Sequence, residues 1–471
     1  MKARVDFAGI AKGLRAFFEG RIYPACVALT VLIGALFGIE LYTMLLLALT
    51  FIVCTLLVDS VRPMTVTFIT FLYQMSLKHS PSEVVNNQYG DGDAGYLFVP
   101  WRITLIAVTI SLMLIGCVVF FIRRRCYLRI SLSKDKMLLS TVVLCVTFFL
   151  GGAFSPTWGD GILIAALQTL AFLFVFVLFA YGHSEKETRG ELISYFSYVS
   201  ALAAGVIILQ LIALFIRHPD VVFAGGTVNK TAIMLGFGVW TLVGISLAML
   251  IPAIFYGAMT GGRYSWIYFA IATLTWVFAV LTMSRNAQVF ATLAYAACVI
   301  IAAFKSGHRL FYRVLCVIGA VGALGIFVLA FDKIPELLSS FLDDNGRREH
   351  ASIAIENFLA YPVFGVGFGG FEGIISLPYQ YAPMGPWPAM AHCTPLELMS
   401  ALGTVGLLAY GVYRVFSIIP VLKKPTLGKS VLFVGILVIL LSSLLDNFIF
   451  DFYTMMYSVI ALALIHREGA E

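Results

Sequence analysis

The sequence predicts an all-α, polytopic integral membrane protein, and three observations support this class. Of its 471 residues, 61% are hydrophobic and only 12% are charged, which leaves too little polar surface for a chain that folds in water. Apolar stretches close to the roughly 20 residues that a spanning helix needs recur from residue 23 to residue 465. Lys and Arg concentrate in a few short connections between these stretches, as the positive-inside rule expects of cytoplasmic loops.

The apolar stretches predict about 12–14 transmembrane helices and one long extracytoplasmic loop between the last spans. The fourteen-span version covers residues 23–39, 41–58, 62–77, 101–122, 137–152, 162–181, 192–216, 231–257, 265–283, 286–304, 311–331, 396–420, 430–446 and 447–465. The count falls to twelve if the first three stretches include a re-entrant segment. The predicted domains are an amphipathic amino terminus (1–22), about eleven helices (23–331), the long loop (332–395), and the final helices with a short tail (396–471).

Basic residues predict the orientation, with both termini inside and the long loop outside. With an even number of spans, three basic clusters fall in cytoplasmic loops: Arg123, Arg124, Arg125, Arg129, Lys134 and Lys136; Lys305, Arg309 and Arg313; and Lys423, Lys424 and Lys429. The long loop carries three Lys or Arg against seven Asp or Glu. We therefore interpret the net charge of +6 as an orientation signal and predict no nucleic-acid partner.

The amino terminus and the cysteines add little chemistry. Charges at Arg4, Asp6, Lys12 and Arg15 interrupt any apolar core of a signal peptide, so residues 1–21 are predicted to form a helix at the inner membrane surface, in contact with membrane lipid. Seven of the eight cysteines fall in spans or at their inner ends, which leaves Cys393 in the outer loop. No metal-ligand spacing and no nucleotide-binding glycine pattern occurs, so we predict neither a metal nor a cofactor.

Polar residues at the outer ends of spans are unfavourable in free energy at membrane depth, and they are therefore the candidates for function. Ser284 and Arg285 lie in a polar turn between two long apolar stretches. Arg217, Asn229 and Lys230 lie in the outer connection before the eighth span. Each cation has two interpretations, an interface anchor that reaches to water or a ligand for an anion.

The long loop contains the densest group of candidates. Arg347 opens a predicted helix, where the helix dipole disfavours a cation and a bound anion would explain one. A glycine run follows that includes Gly367 and Gly369, and it fits either a packed turn or a surface that approaches a substrate. His392 then precedes the next span; it is either structural or a proton acceptor at the membrane surface.

These pieces together resemble a known family. The order is Gly-Arg at 346–347, Pro-x-x-Gly-x-Gly-Phe-Gly at 362–369, and His-x-Thr-x-Leu-Glu-Leu at 392–398 with Leu-Gly-x-x-Gly-Leu-Leu at 402–408. This order resembles the carboxy-terminal region of the O-antigen ligase and O-antigen polymerase superfamily. Ser284-Arg285 resembles the family's Ser-Arg at the outer end of a span. The segment 225–230 resembles, more weakly, the Asn-containing segment that the family has before an apolar stretch. The resemblance covers roughly residues 225–415. One departure is Cys393, where the family usually has Asn.

The resemblance implies a fold and a reaction. A polytopic enzyme in the bacterial cytoplasmic membrane would transfer a glycan from a polyprenyl-diphosphate carrier to a hydroxyl of a glycan, lipid or protein acceptor on the outer face, with inversion and without a metal. His392 would be the general base and Arg285 and Arg347 would bind the diphosphate, with Arg217 and Lys230 as weaker candidates. Substrate-binding or supporting roles would fall to Ser284, Asn229, Gly367, Gly369, Thr394 and Glu397.

Three alternatives stay open. A polymerase that extends lipid-linked repeat units would use the same residues as a ligase and differ in its acceptor. A transporter of the lipid-linked oligosaccharide would need many spans and charged residues but no base. A scaffold without a ligand would poorly explain the arginines. The sequence carries no signal of oligomeric state.

Overall fold

The computed structural model describes residues 7–70, 72, 100–154, 158–184, 187–235, 238–329, 347–367 and 391–466. Two predicted features, Gly369 and the Gly346 that precedes Arg347, lie outside the described residues. For Arg347 the structure describes the backbone alone.

The described chain is a bundle of α-helices. From the amino terminus the first eight are α1 (Phe7–Glu19), α2 (Ile22–Phe37), α3 (Glu40–Leu57), α4 (Thr67–Thr70), α5 (Pro100–Arg123), α6 (Lys136–Ala153), α7 (Trp158–Thr169) and α8 (Val175–Tyr181). The next five are α9 (Arg189–Arg217), α10 (Pro219–Val222), α11 (Trp240–Met259), α12 (Ser265–Leu281) and α13 (Arg285–Lys305). The last five are α14 (Arg309–Leu329), α15 (Arg347–Ala360), α16 (Thr394–Lys423), α17 (Leu427–Ser442) and α18 (Phe452–His466).

The predicted fold class is confirmed: the protein is an all-α, polytopic membrane protein. By length and composition, five described helices can each cross a membrane, namely α6, α9, α11, α13 and α16, and the bent pair α1–α2 makes six. Six further apolar helices have 10–17 residues. The number of crossings and the division into domains stay predictions.

Two predicted spans differ from the structure. The stretch 62–77 contains only a 3₁₀ helix, Arg62–Val66, and the single turn α4 within its described part. Its β-branched residues lose side-chain freedom in a helix, and the Thr65 and Thr70 hydroxyls donate to the backbone carbonyls of Arg62 and Val66. The eighth stretch, 231–257, becomes α11 only at Trp240.

A short antiparallel ribbon precedes α11. Strand β1 (Met234–Leu235) pairs with β2 (Gly238–Val239), with Met234 opposite Val239. Glycines at 236 and 238 disfavour a helix by about 1 kcal/mol each, so the apolar stretch continues in sequence while the helix does not. The ribbon therefore shortens the predicted span from its amino-terminal side.

Helix α16 is broken near its amino terminus. Gly403 has φ 63 and ψ −160, a conformation that divides the helix into two parts. The loop that follows α15 fills the break: the Thr404 N–H donates to the Pro362 carbonyl at 2.9 Å, and the Val405 N–H donates to the Val363 carbonyl at 3.2 Å. The carboxy-terminal side of α15 is thus fastened to the broken helix.

The bundle has two ends, the His392 end and the Asp135 end. At the His392 end, α13 and α16 begin and α17 ends: Asn286 Nδ2 donates to the Ser442 carbonyl, and Thr394 N–H donates to the Ser443 carbonyl. At the Asp135 end, α6 begins and α8 and α18 end. Helix α18 connects the two, and its 15 residues rise by roughly 22 Å.

Candidate functional site

His392 lies immediately before α16, in a backbone conformation that few side chains adopt. Its φ is 50°, in the left-handed region, so the surrounding structure must hold it there. Its Nδ1 lies 3.0 Å from Oδ1 of Asp446, in the connection between α17 and α18. The His392 side chain is 46% exposed and that of Asp446 is 23% exposed. The pair is therefore accessible from outside the protein.

Asp446 is held in place by the start of α16. The Asn447 N–H donates to Asp446 Oδ1 at 2.8 Å, and the Thr394 hydroxyl donates to Asn447 Oδ1 at 2.9 Å. The Thr394 N–H also donates to the Ser443 carbonyl at 2.8 Å. His392 and Asp446 are thus positioned by one set of bonds that includes Thr394, whose role in the site stays a prediction.

Cys393 occupies the N-cap position of α16 and makes no capping bond through its side chain. Asn at this position would be among the best N-caps, whereas cysteine is a poor one. The Ser443 carbonyl takes the Thr394 N–H, and Pro395 has no N–H to satisfy. The Ser443 carbonyl therefore replaces a side-chain cap for one N–H group at the helix start.

Glu397 supports the turn that contains His392. It is buried, at 3% exposed, and its Oε2 accepts the Ala391 N–H at 2.8 Å. A buried carboxylate that binds the backbone one residue before His392 fixes that turn. Glu397 itself lies away from the surface, and its supporting role in the site stays a prediction.

Helix α15 brings a second histidine to the site. The His350 and His392 rings meet edge to face, with centroids 5.2 Å apart and planes at 81°. Ile353, Ala354 and Ala391 form a small buried cluster beside them. Arg347 begins α15 one turn before His350, so its backbone lies at the His392 end.

Arg285 begins α13 at the same end. Ser284 caps this helix by accepting the Ala287 N–H at 3.4 Å, and the following residue, Asn286, donates to the Ser442 carbonyl at 3.3 Å. The Arg285 side chain is exposed. Because Ser442 and the Ser443 that binds Thr394 are neighbours, the starts of α13 and α16 lie against the same end of α17.

The glycines at 365 and 367 form a packed turn. Their φ values are 69° and 79°, and a side chain at Gly365 would lie 2.4 Å from the Ser400 carbonyl. The Gly367 N–H donates to the Ala401 carbonyl at 2.8 Å. Of the two interpretations of the glycine run, the structure shows the turn for these residues; a substrate contact for Gly367 stays a prediction.

The connection before α11 contains Asn229 and Lys230, and Arg217 is the last residue of α9. Asn229 Oδ1 accepts the N–H and the hydroxyl of Thr231, which orders the turn. The Lys230 ammonium lies 5.9 Å from the Trp240 ring centre, and Arg217 Nη1 donates to the Leu36 carbonyl at 3.0 Å. The start of α11 is at the His392 end, because Ile245, Ala287 and Phe448 pack in one cluster. Roles of these three residues in anion binding stay predictions.

Sequence reasoning missed Asp446, Asn447 and His350. Asp446 and Asn447 are two polar residues between two apolar stretches, and this polarity is the signal that could have identified them. The boundary between the predicted spans 430–446 and 447–465 falls between these two residues. Across the ranges that the structure describes, no group of three or more His, Cys, Asp or Glu side chains could hold a metal ion.

Comparison with known families gives one match. Residues 248–411 match the O-antigen ligase family, which confirms the resemblance found in the sequence. The match includes the later part of α11, all of α12–α15 and the first part of α16, and with them Arg285, Arg347 and His392. No curated protein matches the chain.

Proposed function

We propose that this chain, whose residues 248–411 match the O-antigen ligase family, is a glycosyltransferase that moves a glycan from a polyprenyl-diphosphate carrier to an acceptor hydroxyl. The family establishes a membrane protein that processes glycans in the manner of O-antigen ligases and polymerases. The donor, the acceptor and the mechanism are the proposal.

The observation that carries the mechanism is the exposed His392 beside Asp446. With its Nδ1–H donating to Asp446 Oδ1, the imidazole carries its lone pair on Nε2, the nitrogen that would accept a proton. The carboxylate also stabilises the imidazolium that forms. This is the arrangement that a general base requires, and it supports His392 in that role.

Positive potential at the same end supports a diphosphate leaving group. Helices α13, α15 and α16 all begin at the His392 end, and the amino-terminal ends of helices favour anions. Arg285 and Arg347 are the first residues of α13 and α15. A cation at a helix start is costly alone, but a diphosphate would interact favourably with both the arginine and the helix end.

The proposed step is a single displacement. The acceptor oxygen forms a bond to the anomeric carbon as its proton moves to His392 Nε2. The bond from the anomeric carbon to the diphosphate oxygen breaks, and the lipid diphosphate leaves with the electron pair, stabilised by Arg285 and Arg347. Attack opposite the leaving group inverts the anomeric configuration. The proton then leaves His392 for water.

Purified protein in detergent tests transfer against transport, because no compartments exist there. We expect a lipid-linked glycan donor and a hydroxyl acceptor to give a glycosidic product, and His392→Gln to abolish most of it. His308→Gln is the matched control, since His308 lies at the Asp135 end, where it contacts Ser265. No product from wild-type protein with a range of donors and acceptors would favour the transporter.

A ligase and a polymerase differ only in the acceptor, so an experiment in cells, where the glycans on the carrier lipid are analysed, distinguishes them. In a strain that lacks this chain, loss of a ligase leaves full-length glycan on the carrier lipid. Loss of a polymerase leaves single repeat units there. We propose the ligase as the first candidate.

The proposed orientation places the His392 end outside the bacterial cytoplasmic membrane. Glu356 on α15 and Lys424 after α16 are both exposed and lie on opposite sides of the broken helix. An impermeant thiol reagent added to intact cells should label Glu356→Cys and should label Lys424→Cys only after lysis. The reverse labelling would overturn the orientation and an outer-face reaction.

A further inference from the structure

The chain bends sharply between α1 and α2, at the Asp135 end. The two helices meet at 69°. Two tyrosines of α9 hold the bend: the Tyr195 hydroxyl donates to the Gly20 carbonyl at 3.3 Å, and the Tyr198 hydroxyl donates to the Arg21 carbonyl at 3.1 Å. The bend is therefore a fixed part of the fold, and the surface beside it has a defined shape.

A groove of about 300 Å³ opens at this bend. Its lining consists of Arg21, Ile22, Ala25, Cys26, Leu29 and Tyr198. Four of these lie on one face of α2, at the spacing i, i+3, i+4 and i+7, so the groove follows the helix for roughly 10 Å. Apart from Arg21 and the Tyr198 hydroxyl, the groove is apolar.

The charge at the mouth of the groove is positive. The Arg21 guanidinium lies 5.6 Å from the centre of the Tyr198 ring, and the side chain is exposed. The neighbouring carboxylates are engaged elsewhere: Glu19 bonds Arg15 at 3.3 Å, and Asp59 bonds Arg124 at 3.0 Å. Among the ion pairs of the described residues, none includes Arg21.

Helix α1 sets the depth of the groove in the membrane. Its exposed residues include the apolar Ile10 and Leu14 together with Lys12, as in helices that lie in the interface. Arg21 follows α1 after a single residue, Gly20, so a helix α1 that lies in the interface would hold the Arg21 guanidinium at the level of lipid head groups. The apolar part of the groove runs from there along α2 into the hydrocarbon.

We propose that this groove binds one anionic phospholipid of the leaflet at the Asp135 end. The phosphate would contact Arg21, and an acyl chain would lie along Ile22, Ala25 and Leu29. A zwitterionic lipid offers the same chain but compensates its phosphate with its own cation, so the arginine selects for net negative charge. The site is separate from the His392 end and does not depend on the proposed reaction.

The rate at which Cys26 is modified measures whether the groove is occupied by lipid. All eight cysteines lie in the described residues, and of these only Cys26 is exposed. In detergent, we expect phosphatidylglycerol to slow maleimide modification of Cys26, measured by peptide mass spectrometry, at concentrations where phosphatidylcholine has little effect. Arg21→Gln should weaken this protection about fivefold, the effect of one basic residue near an anionic lipid. Arg21→Lys should retain most of it.

Two controls separate the source of the effect. Lys12→Gln removes a cation of α1 outside the groove and should leave protection unchanged. Ala25→Phe fills the groove and should abolish protection, with a melting temperature close to that of the wild type as the check on folding. Equal protection by both lipids, protection by inorganic phosphate alone, or full protection in Arg21→Gln would each overturn the proposal.

Discussion

Among the residues that the structure describes, two histidine–aspartate pairs lie at opposite ends of the bundle, and they differ in almost everything except composition. His392 Nδ1 lies 3.0 Å from Asp446, and His466 Nε2 lies 2.7 Å from Asp135. The His392 side chain is 46% exposed and the His466 side chain 25%. The first pair is open to a ligand, and the second is enclosed by helices.

The partners of the two carboxylates explain the difference. Asp135 also accepts bonds from the Tyr181 hydroxyl and the Leu138 N–H, so one carboxylate joins the start of α6 to the ends of α8 and α18. Asp446 Oδ1 instead accepts the N–H of the neighbouring Asn447 and lies 3.0 Å from Nδ1 of His392, a residue held at a φ of 50°. A histidine–aspartate pair therefore indicates function only when exposure, backbone conformation and nearby cations agree.

The largest effect should come from exchanging the two histidines for glutamine. His392→Gln should lower turnover by roughly 10²- to 10⁴-fold, the contribution of a general base, with little change in melting temperature. His466→Gln should do the reverse, with normal turnover and a loss of about 1–3 kcal/mol of stability. Both variants are assayed for transfer in detergent and for thermal unfolding. Near wild-type turnover in His392→Gln would make His392 a positioning residue.

The next effect concerns the arginines that distinguish the His392 end. Arg285→Ala and Arg347→Ala should each lower turnover by roughly 10²- to 10³-fold, because each removes a donor to the leaving diphosphate. Arg347→Lys should recover only part, since lysine lacks the planar two-point contact. Arg263→Ala, an exposed arginine between α11 and α12, is the control. Full activity of both alanine variants, at equal expression, would remove these arginines from the site.

Asp446→Asn should have a smaller effect on turnover than His392→Gln. Asparagine keeps a hydrogen-bonding partner for Nδ1 but lacks the charge that stabilises the imidazolium, so the rise of activity with pH should move to lower pH. Turnover of both proteins is measured between about pH 5 and pH 8, the range in which histidine side chains change charge.

A double variant identifies the interaction that Asp446 acts through. If Asp446 acts through His392, adding Asp446→Asn to His392→Gln should cost nothing further. Additive losses in the double variant, or an unchanged pH profile in Asp446→Asn, would separate Asp446 from the base.

Much of the helical architecture follows from hydropathy alone. The predicted span 286–304 is observed as Arg285–Lys305, because a charged residue at each end limits the apolar stretch. The stretches 62–77 and 231–239 are apolar too, but β-branched residues and glycines favour other backbone conformations, and the described parts of both stretches adopt them. Hydropathy indicates that a segment is buried in lipid or protein. It does not indicate whether the buried segment is helical.

The site was predicted only in part because its contacts are distant in sequence. Motif spacing identifies His392, but its partner Asp446 lies 54 residues further along the chain. His350 reaches His392 through the packing of α15, which no local pattern records. Local chemistry therefore predicts the proposed base, whereas tertiary packing determines which side chains contact it.

The smallest effect is expected at the enclosed pair, and pH reveals it. Burial alone would raise the pKa of Asp135, but the bonds from His466, Tyr181 and the Leu138 N–H outweigh it and hold the pKa below the ordinary value of 3.8. A depressed pKa means that the carboxylate stabilises the fold above the unfolded-state pKa and loses this contribution as pH falls through the folded-state pKa. Asp135→Asn should therefore lower the melting temperature at pH 7 and leave turnover normal, and its deficit should shrink below about pH 4. Melting curves of both proteins between pH 3 and pH 8 measure this, and a deficit that stayed constant over that range would mean that Asp135 acts through packing and not through its charge.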